Sequence, residues 1–129
     1  MPVAVPHIRM KMIGISVFGT AIGILGSIAS EQEYEAITAF RSGFYADNRL
    51  AALDVRLTRP FIGHITLAYI EDVLSEAEKE TLSSVLNRLN REIESAELYF
   101  VIGHTGLRRY HHLAEFIRED HYPVFNFTA

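Results

Sequence analysis

Apolar residues recur at every second position early in the chain: Ile13, Ile15 and Val17, then Ile22 and Ile24, with Phe18-Gly19-Thr20 as a break between them. That period predicts two buried strands, about Ile8 to Val17 and Thr20 to Ile28, joined as a hairpin. Ser30-Glu31-Gln32-Glu33 reads as a capping box, with the Ser30 hydroxyl covering an orphan amide and Glu33 reaching back. The helix it opens sets Tyr34, Ile37, Phe40 and Phe44 on one face and fades near Asp47-Asn48, and a further turn is expected over Leu50 to Leu53. Pro60 admits an apolar strand running to Ile70. Ser75-Glu76-Ala77-Glu78 is a second capping box, and its helix carries Leu82, Val85, Leu86, Leu89 and Ile93 as a 3.6-residue stripe. Strands follow at about Glu97 to Ile102 and Leu107 to Ile117, separated by Gly103-His104-Thr105-Gly106, and a last one at Pro123 to Phe127. The order ββαβαβββ predicts an α+β domain, a largely antiparallel sheet of about five or six strands with two helices on one face and the Pro60–Ile70 strand internal.

Within Pro60-Phe61-Ile62-Gly63-His64-Ile65-Thr66-Leu67-Ala68-Tyr69-Ile70 the alternation carries chemistry. Strand side chains alternate faces, so His64 and Thr66 point the same way beside Ile62 and Ala68, while Phe61, Ile65, Leu67 and Tyr69 point toward a core. Two polar groups on one face of a buried strand each need a partner or cost stability. A ring nitrogen and a hydroxyl converging on one point suit a phosphate, the hydroxyl donating to a phosphoryl oxygen and the imidazole moving a proton. An H-x-T triplet alone is short, occurs often by chance and more often marks a satisfied structural histidine than a catalyst; its setting, before an apolar residue and an aromatic in a strand that leads to a capped helix, favours function.

Composition narrows the classes. The 129 residues make one domain, 1–129, and 49% apolar with 22% charged residues is the balance of a soluble globular protein. A net charge of −4 argues against non-specific binding to a nucleic-acid backbone. Ten arginines stand against two lysines, Lys11 and Lys79, and arginine is the better planar partner for phosphate. Cysteine is absent, which excludes disulfides and thiolate chemistry and is compatible with a cytoplasmic location. Ile13 to Ala29 is uncharged, follows Arg9 and Lys11, and has the outline of a secretory signal or a short membrane span. Its four glycines and its period of two favour the hairpin, and no membrane association is expected. No helical H-x-x-x-H or clustered carboxylate–histidine spacing appears, so neither a metal nor a cofactor is expected.

The motif around His64, the hairpin and helix before it, and Leu107-Arg108-Arg109-Tyr110 with Tyr122-Pro123-Val124-Phe125-Asn126-Phe127 after it resemble the 2H phosphoesterase superfamily over nearly the whole chain. That superfamily includes RNA 2′,3′-cyclic phosphodiesterases and 2′-5′ RNA ligase-like proteins, and the likeness is greatest to the second lobe of a bacterial branch known as a domain of unknown function. Members have two similar lobes, each giving one H-x-T to a shared cleft. The resemblance implies a metal-independent cyclic phosphodiesterase acting on a small nucleotide or RNA-end phosphoester, with His64 catalytic and Thr66 on the phosphate. It implies the same phosphate role for Arg109 and Tyr110, which match an Arg-Tyr pair found late in the superfamily. This chain holds one H-x-T only. His104 sits beside Thr105 rather than two residues from it, and His111 and His112 face opposite ways on one strand. His7 and His121 are expected to be solvated. The second motif would then come from a homodimer or from a separate first-lobe partner. The alternatives are a non-catalytic phosphate-binding module and a truncated, vestigial lobe.

Overall fold

The computed structural model describes residues 7–127. Strands β1 (Ile8–Phe18) and β2 (Ala21–Ile28) pair antiparallel, with Phe18 opposite Ala21. Gly19 turns the chain at φ +62°, a left-handed conformation that carries no Cβ penalty in glycine. The uncharged stretch is therefore a hairpin, and among the described residues no helix is long and apolar enough to cross a membrane.

Helix α1 (Glu31–Tyr45) and the short α2 (Asn48–Ala52) follow, then β3 (Gly63–Tyr69), α3 (Glu76–Ala96) and β4 (Tyr99–Ile102). The sheet has four strands in the order β3-β2-β1-β4, all neighbours antiparallel. Two expectations need correction here. The sheet is smaller than five or six strands, and the strand bearing His64 is an edge strand rather than an internal one. The reason lies in the chain's return. β4 pairs with the first part of β1 (Ile8–Lys11) and not with β3, and the remaining strands leave the sheet after Gly103.

Those strands form two separate ribbons: β5 (His104–Gly106) with β8 (Val124–Asn126), and β6 (Arg109–His112) with β7 (Glu115–Ile117). The single strand expected over Leu107–Ile117 is thus a hairpin turning at Leu113-Ala114, where the Ala114 N–H donates to His112 Nδ1 (3.2 Å). His104, expected in a loop, lies in β5 opposite Asn126.

Both long helices lie on one face of the sheet. Ile28 packs with Ile37 of α1, and Ile22 lines a cleft with Leu82 and Val85 of α3; these are even-numbered positions of an unbroken strand. The core is small: Ile8, Met10, Ile37, Ile93 and Phe127 are its buried apolar residues. Phe127 reaches Ile8 through a cluster of Phe40, Phe125 and Phe127, with ring centroids 4.5–5.6 Å apart, which ties the last strand to α1. Of the α3 stripe only Ile93 is buried, and Leu82, Val85, Leu86 and Leu89 remain half-exposed.

The two capping boxes differ. At α3 both reciprocal bonds form, Glu78 N–H to Ser75 Oγ (3.2 Å) and Ser75 N–H to Glu78 Oε2 (2.7 Å). At α1 Ser30 Oγ accepts from the Glu33 N–H (3.2 Å), but the Glu33 carboxylate does not turn back to the Ser30 amide. It is buried against β1 instead. There it accepts from the Arg9 backbone N–H, Nε and a terminal guanidinium nitrogen, each at 2.9 Å, and from the Ser30 hydroxyl at 2.6 Å.

Candidate functional site

In the β2–β3 register Leu25 faces His64 and Gly23 faces Thr66. Odd positions of β2 point away from the even ones that meet the helices, so His64 and Thr66 share the helix-free face of the sheet. The expectation that they point one way holds. Ile65 lies opposite Ile24 and points toward the helices. Leu67 is a bulge residue, since Thr66 and Ala68 oppose consecutive residues of β2, Gly23 and Ile22. The bulge resets the alternation, so Tyr69 falls opposite Ala21 on the His64 face and Ala68 moves to the helix side. That reverses the expected placement of both.

His64 is exposed and Thr66 half-buried. The imidazole is fixed from two directions. Its Nδ1 lies 2.9 Å from the Ile62 carbonyl oxygen. A carbonyl can only accept, so Nδ1 carries the proton and Nε2 keeps its lone pair in the neutral ring. Among the described residues Nε2 has no hydrogen-bond partner. The Phe18 ring meets the imidazole edge-on, with centroids 5.7 Å apart at 81°. Phe18 can lie there because Gly23 has no side chain: a Cβ on Gly23 would sit 2.5 Å from Phe18 Cζ and 2.8 Å from the Ile65 carbonyl oxygen. The first hairpin thus builds the floor beneath His64.

The other expected site residues are elsewhere. Arg109 and Tyr110 are exposed on β6, where Tyr110 stacks on Phe116 of β7 with centroids 5.7 Å apart. Among the described residues no hydrogen bond or ion pair joins either to His64 or Thr66. The cation that the register does bring to the helix-free face is Lys11, opposite Ser27 and two positions along the strands from the Leu25–His64 pair. Sequence reasoning passed over it, although Arg9 and Lys11 at a period of two were a signal for that face. Arg9 is committed to Glu33. Arg41 lies over the Phe61 ring at 5.4 Å, at the approach to β3.

Clefts of about 430–750 Å³ lie away from His64 and Thr66. One of about 750 Å³ runs between the β1–β2 turn and α3, from Val17 and Thr20 to Leu86 and Asn90. Another, of about 430 Å³, touches Ile62 and Gly63 with Ser27, Ser30 and Tyr34, just before the motif. Among the described residues no group of three or more histidines and carboxylates is placed to hold a metal ion. His112 and His121 each approach a neighbouring glutamate, Glu115 at 3.2 Å and Glu119 at 3.7 Å, while His7 is half-buried rather than free in solvent.

Chemically, the helix-free face offers one oriented imidazole with a free nitrogen, one hydroxyl on the same face and one lysine farther along. Comparison of the chain with protein-family models, with curated protein sequences and with solved structures finds no match.

Proposed function

We propose that the helix-free face binds a phosphoester of the 2′,3′-cyclic nucleotide or RNA-end class. Thr66 donates to a phosphoryl oxygen, and His64 Nε2 exchanges the proton. The observation that carries this reading is the orientation of His64, whose Nδ1–H is spent on the Ile62 carbonyl while Nε2 is left free on an exposed face shared with Thr66. Arg109 and Tyr110 would join the site only if the β6–β7 ribbon folds over that face in the bound state. The resemblance of the Pro60–Tyr69 motif to that of 2H phosphoesterases points to the same chemistry.

Hydrolysis of a cyclic phosphate needs two proton transfers. Water attacks phosphorus as its proton passes to a base, and the bond from phosphorus to the departing ribose oxygen breaks as that oxygen takes a proton from an acid. His64 can serve as one of these. The other must come from a second imidazole, so an isolated chain should bind with little or no turnover, as hydrolase activity depends on a paired H-x-T. Without that pairing the protein is a phosphate-binding module.

Phosphorus NMR of 2′,3′-cyclic GMP mixed with the protein tests both steps. Expected are line broadening on binding, and conversion to a monoester only where two motifs meet, unaffected by a chelator. His64→Ala and Thr66→Ala should each abolish the broadening and leave the melting temperature in place. Variants that bind normally, or that melt early with binding proportionate to the folded fraction, overturn the proposal in favour of a structural histidine. Activity removed by a chelator and restored by a divalent cation would also count against it.

A further inference from the structure

The chain exposes 9675 Å², whereas a compact folded monomer of its 14.6 kDa would expose about 6,900 Å². An excess on the order of 2,000–3,000 Å² exceeds what one subunit contributes to a standard protein interface, about 800 Å². Part of it has a definite location. β3 is a seven-residue edge strand, Gly63-His64-Ile65-Thr66-Leu67-Ala68-Tyr69, without a lysine, a proline or an acidic side chain to blunt it, and the Leu67 bulge interrupts it only beyond Thr66. Ile62, Leu67 and Tyr69 flank that edge, each more than half exposed.

The backbone orientation of this edge can be read. Ile15 gives its N–H and its carbonyl to Asn90, outward from the sheet, so its partner Ile24 directs its own groups to β3. Ile65 opposite Ile24 therefore points inward, in agreement with its carbonyl oxygen lying against Gly23. The N–H and carbonyl groups of His64 and Thr66 point out, unpaired by any strand.

We propose that β3 pairs antiparallel with β3 of a second copy of this chain, on a two-fold axis through Ile65. The result is a continuous eight-stranded sheet. His64 exchanges both backbone hydrogen bonds with Thr66 of the partner subunit, and Thr66 does so with the partner's His64. Other centres fit less well. Centring on His64 would set Thr66 against Ile62 of the partner subunit, whose carbonyl is engaged by the partner's own imidazole. Centring on Thr66 would set His64 against Ala68 of the partner subunit, across the Leu67 bulge. The strand carries no charge, so the net −4 of each chain places no like charges in the contact.

The consequence is one cluster of two histidines and two threonines on the helix-free face, contributed half by each chain. Directly opposed Cβ atoms would lie about 5 Å apart and the two His64 positions about 7–8 Å apart on the diagonal. That spacing leaves room for a single phosphate between two imidazoles. The meaning of the cluster rests on the phosphoester reading; the pairing itself does not.

A cysteine-free chain makes the test direct, because a single introduced cysteine can bond only to its own copy. Opposed Cβ atoms at a non-hydrogen-bonded antiparallel pair are near disulfide distance. Under mild oxidation Ile65→Cys should become a covalent dimer almost completely, while Val101→Cys on the opposite edge stays monomeric. Wild-type protein should sediment as a dimer at micromolar concentration. Ile65→Lys should weaken association at least tenfold with the circular dichroism unchanged. Should Ile65→Lys fail to fold, Thr66→Pro serves, since the N–H it removes faces outward and breaks no bond within the chain. A wild-type monomer, or cross-linking at Val101→Cys in place of Ile65→Cys, overturns the pairing. A cross-linked Ile65→Cys dimer that neither binds nor cleaves 2′,3′-cyclic GMP leaves the pairing standing and overturns the phosphoester reading. A monomer that binds the nucleotide does the reverse.

Discussion

Strands β1 and β3 both present backbone that the sheet does not pair, and the molecule treats them differently. Among the described residues the outer side of β1 has no neighbouring strand beyond Met12, but α3 supplies a side chain in its place. Asn90 of α3 accepts from the Ile15 N–H at 2.6 Å and donates to its carbonyl at 3.1 Å, a side-chain amide standing in for a peptide group. On the inner side, where β2 ends, Glu33 of α1 takes the N–H of Arg9. Among the described residues, β3 receives nothing of the kind along its outer side. A buried or half-buried backbone group without a partner costs more than a bond gains, so the capped edge is finished within the chain. The open edge is finished by water or by another molecule.

Substitutions at the two edges should separate them, and the largest effect is expected at Asn90. Asn90→Leu strips two backbone groups of their partners and should destabilise the fold by about 2–3 kcal/mol, read as a lower denaturant midpoint, with aggregation through the newly bare side of β1. Asn90→Asp keeps the acceptor and loses the donor, so it should fall between the wild type and Asn90→Leu.

Glu33 comes next. The Arg9 guanidinium, helped by the Ser30 hydroxyl and the Arg9 amide, holds its carboxyl down at about 2 against the opposing effect of burial. A carboxyl held below its ordinary value contributes stability that is complete above the usual range, near 4.5, and is lost as pH falls from there toward about 2. Glu33→Gln should cost about 1–2 kcal/mol at neutral pH, toward the low end for a charged hydrogen bond because Arg9 is half-exposed. It should also flatten the acid limb of a melting-temperature profile over that window. An unchanged acid limb would mean that Glu33 does not anchor β1.

Gly23→Ala tests the floor of the site on the open side. The added methyl must displace the Phe18 ring and press on the Ile65 carbonyl, at about 1–3 kcal/mol, and should loosen His64 as well as the β2–β3 pairing. The smallest effect belongs to the open edge itself. Thr66→Pro should shift the stability of the isolated chain by under about 1 kcal/mol, and a large loss there would show that β3 is held on its outer side after all.

Legibility followed the range of the interactions. The first hairpin was readable because β1 and β2 alternate and Gly19 supplies the turn; the Ser75 box was readable because both of its bonds close within four residues. The Ser30 box departs from its sequence signature in its second half, since the partner that Glu33 takes instead, Arg9, lies twenty-four residues away. The position of β3 at the edge could not be taken from its alternation, which reports faces and not neighbours. Nothing in Thr66-Leu67-Ala68 announces a bulge, so plain alternation puts Tyr69 on the wrong face. The Leu113-Ala114 turn lacks the glycine, asparagine or proline that would have divided β6 from β7. His64 and Thr66 were found because their pairing is local. Lys11 was not, because it reaches that face only through β2.

Phe18, resting edge-on against the imidazole in the space that Gly23 leaves, gives His64 a built-in reporter. A neighbouring aromatic ring's circulating electrons displace the magnetic resonance of nuclei held close to it, so the carbon-bound protons of His64 should stand apart from those of the other five histidines. Phe18→Leu should return them to the common position. Any phosphate that draws the ring toward the open edge would move the same signal, and occupancy of the face could be followed in the untagged protein.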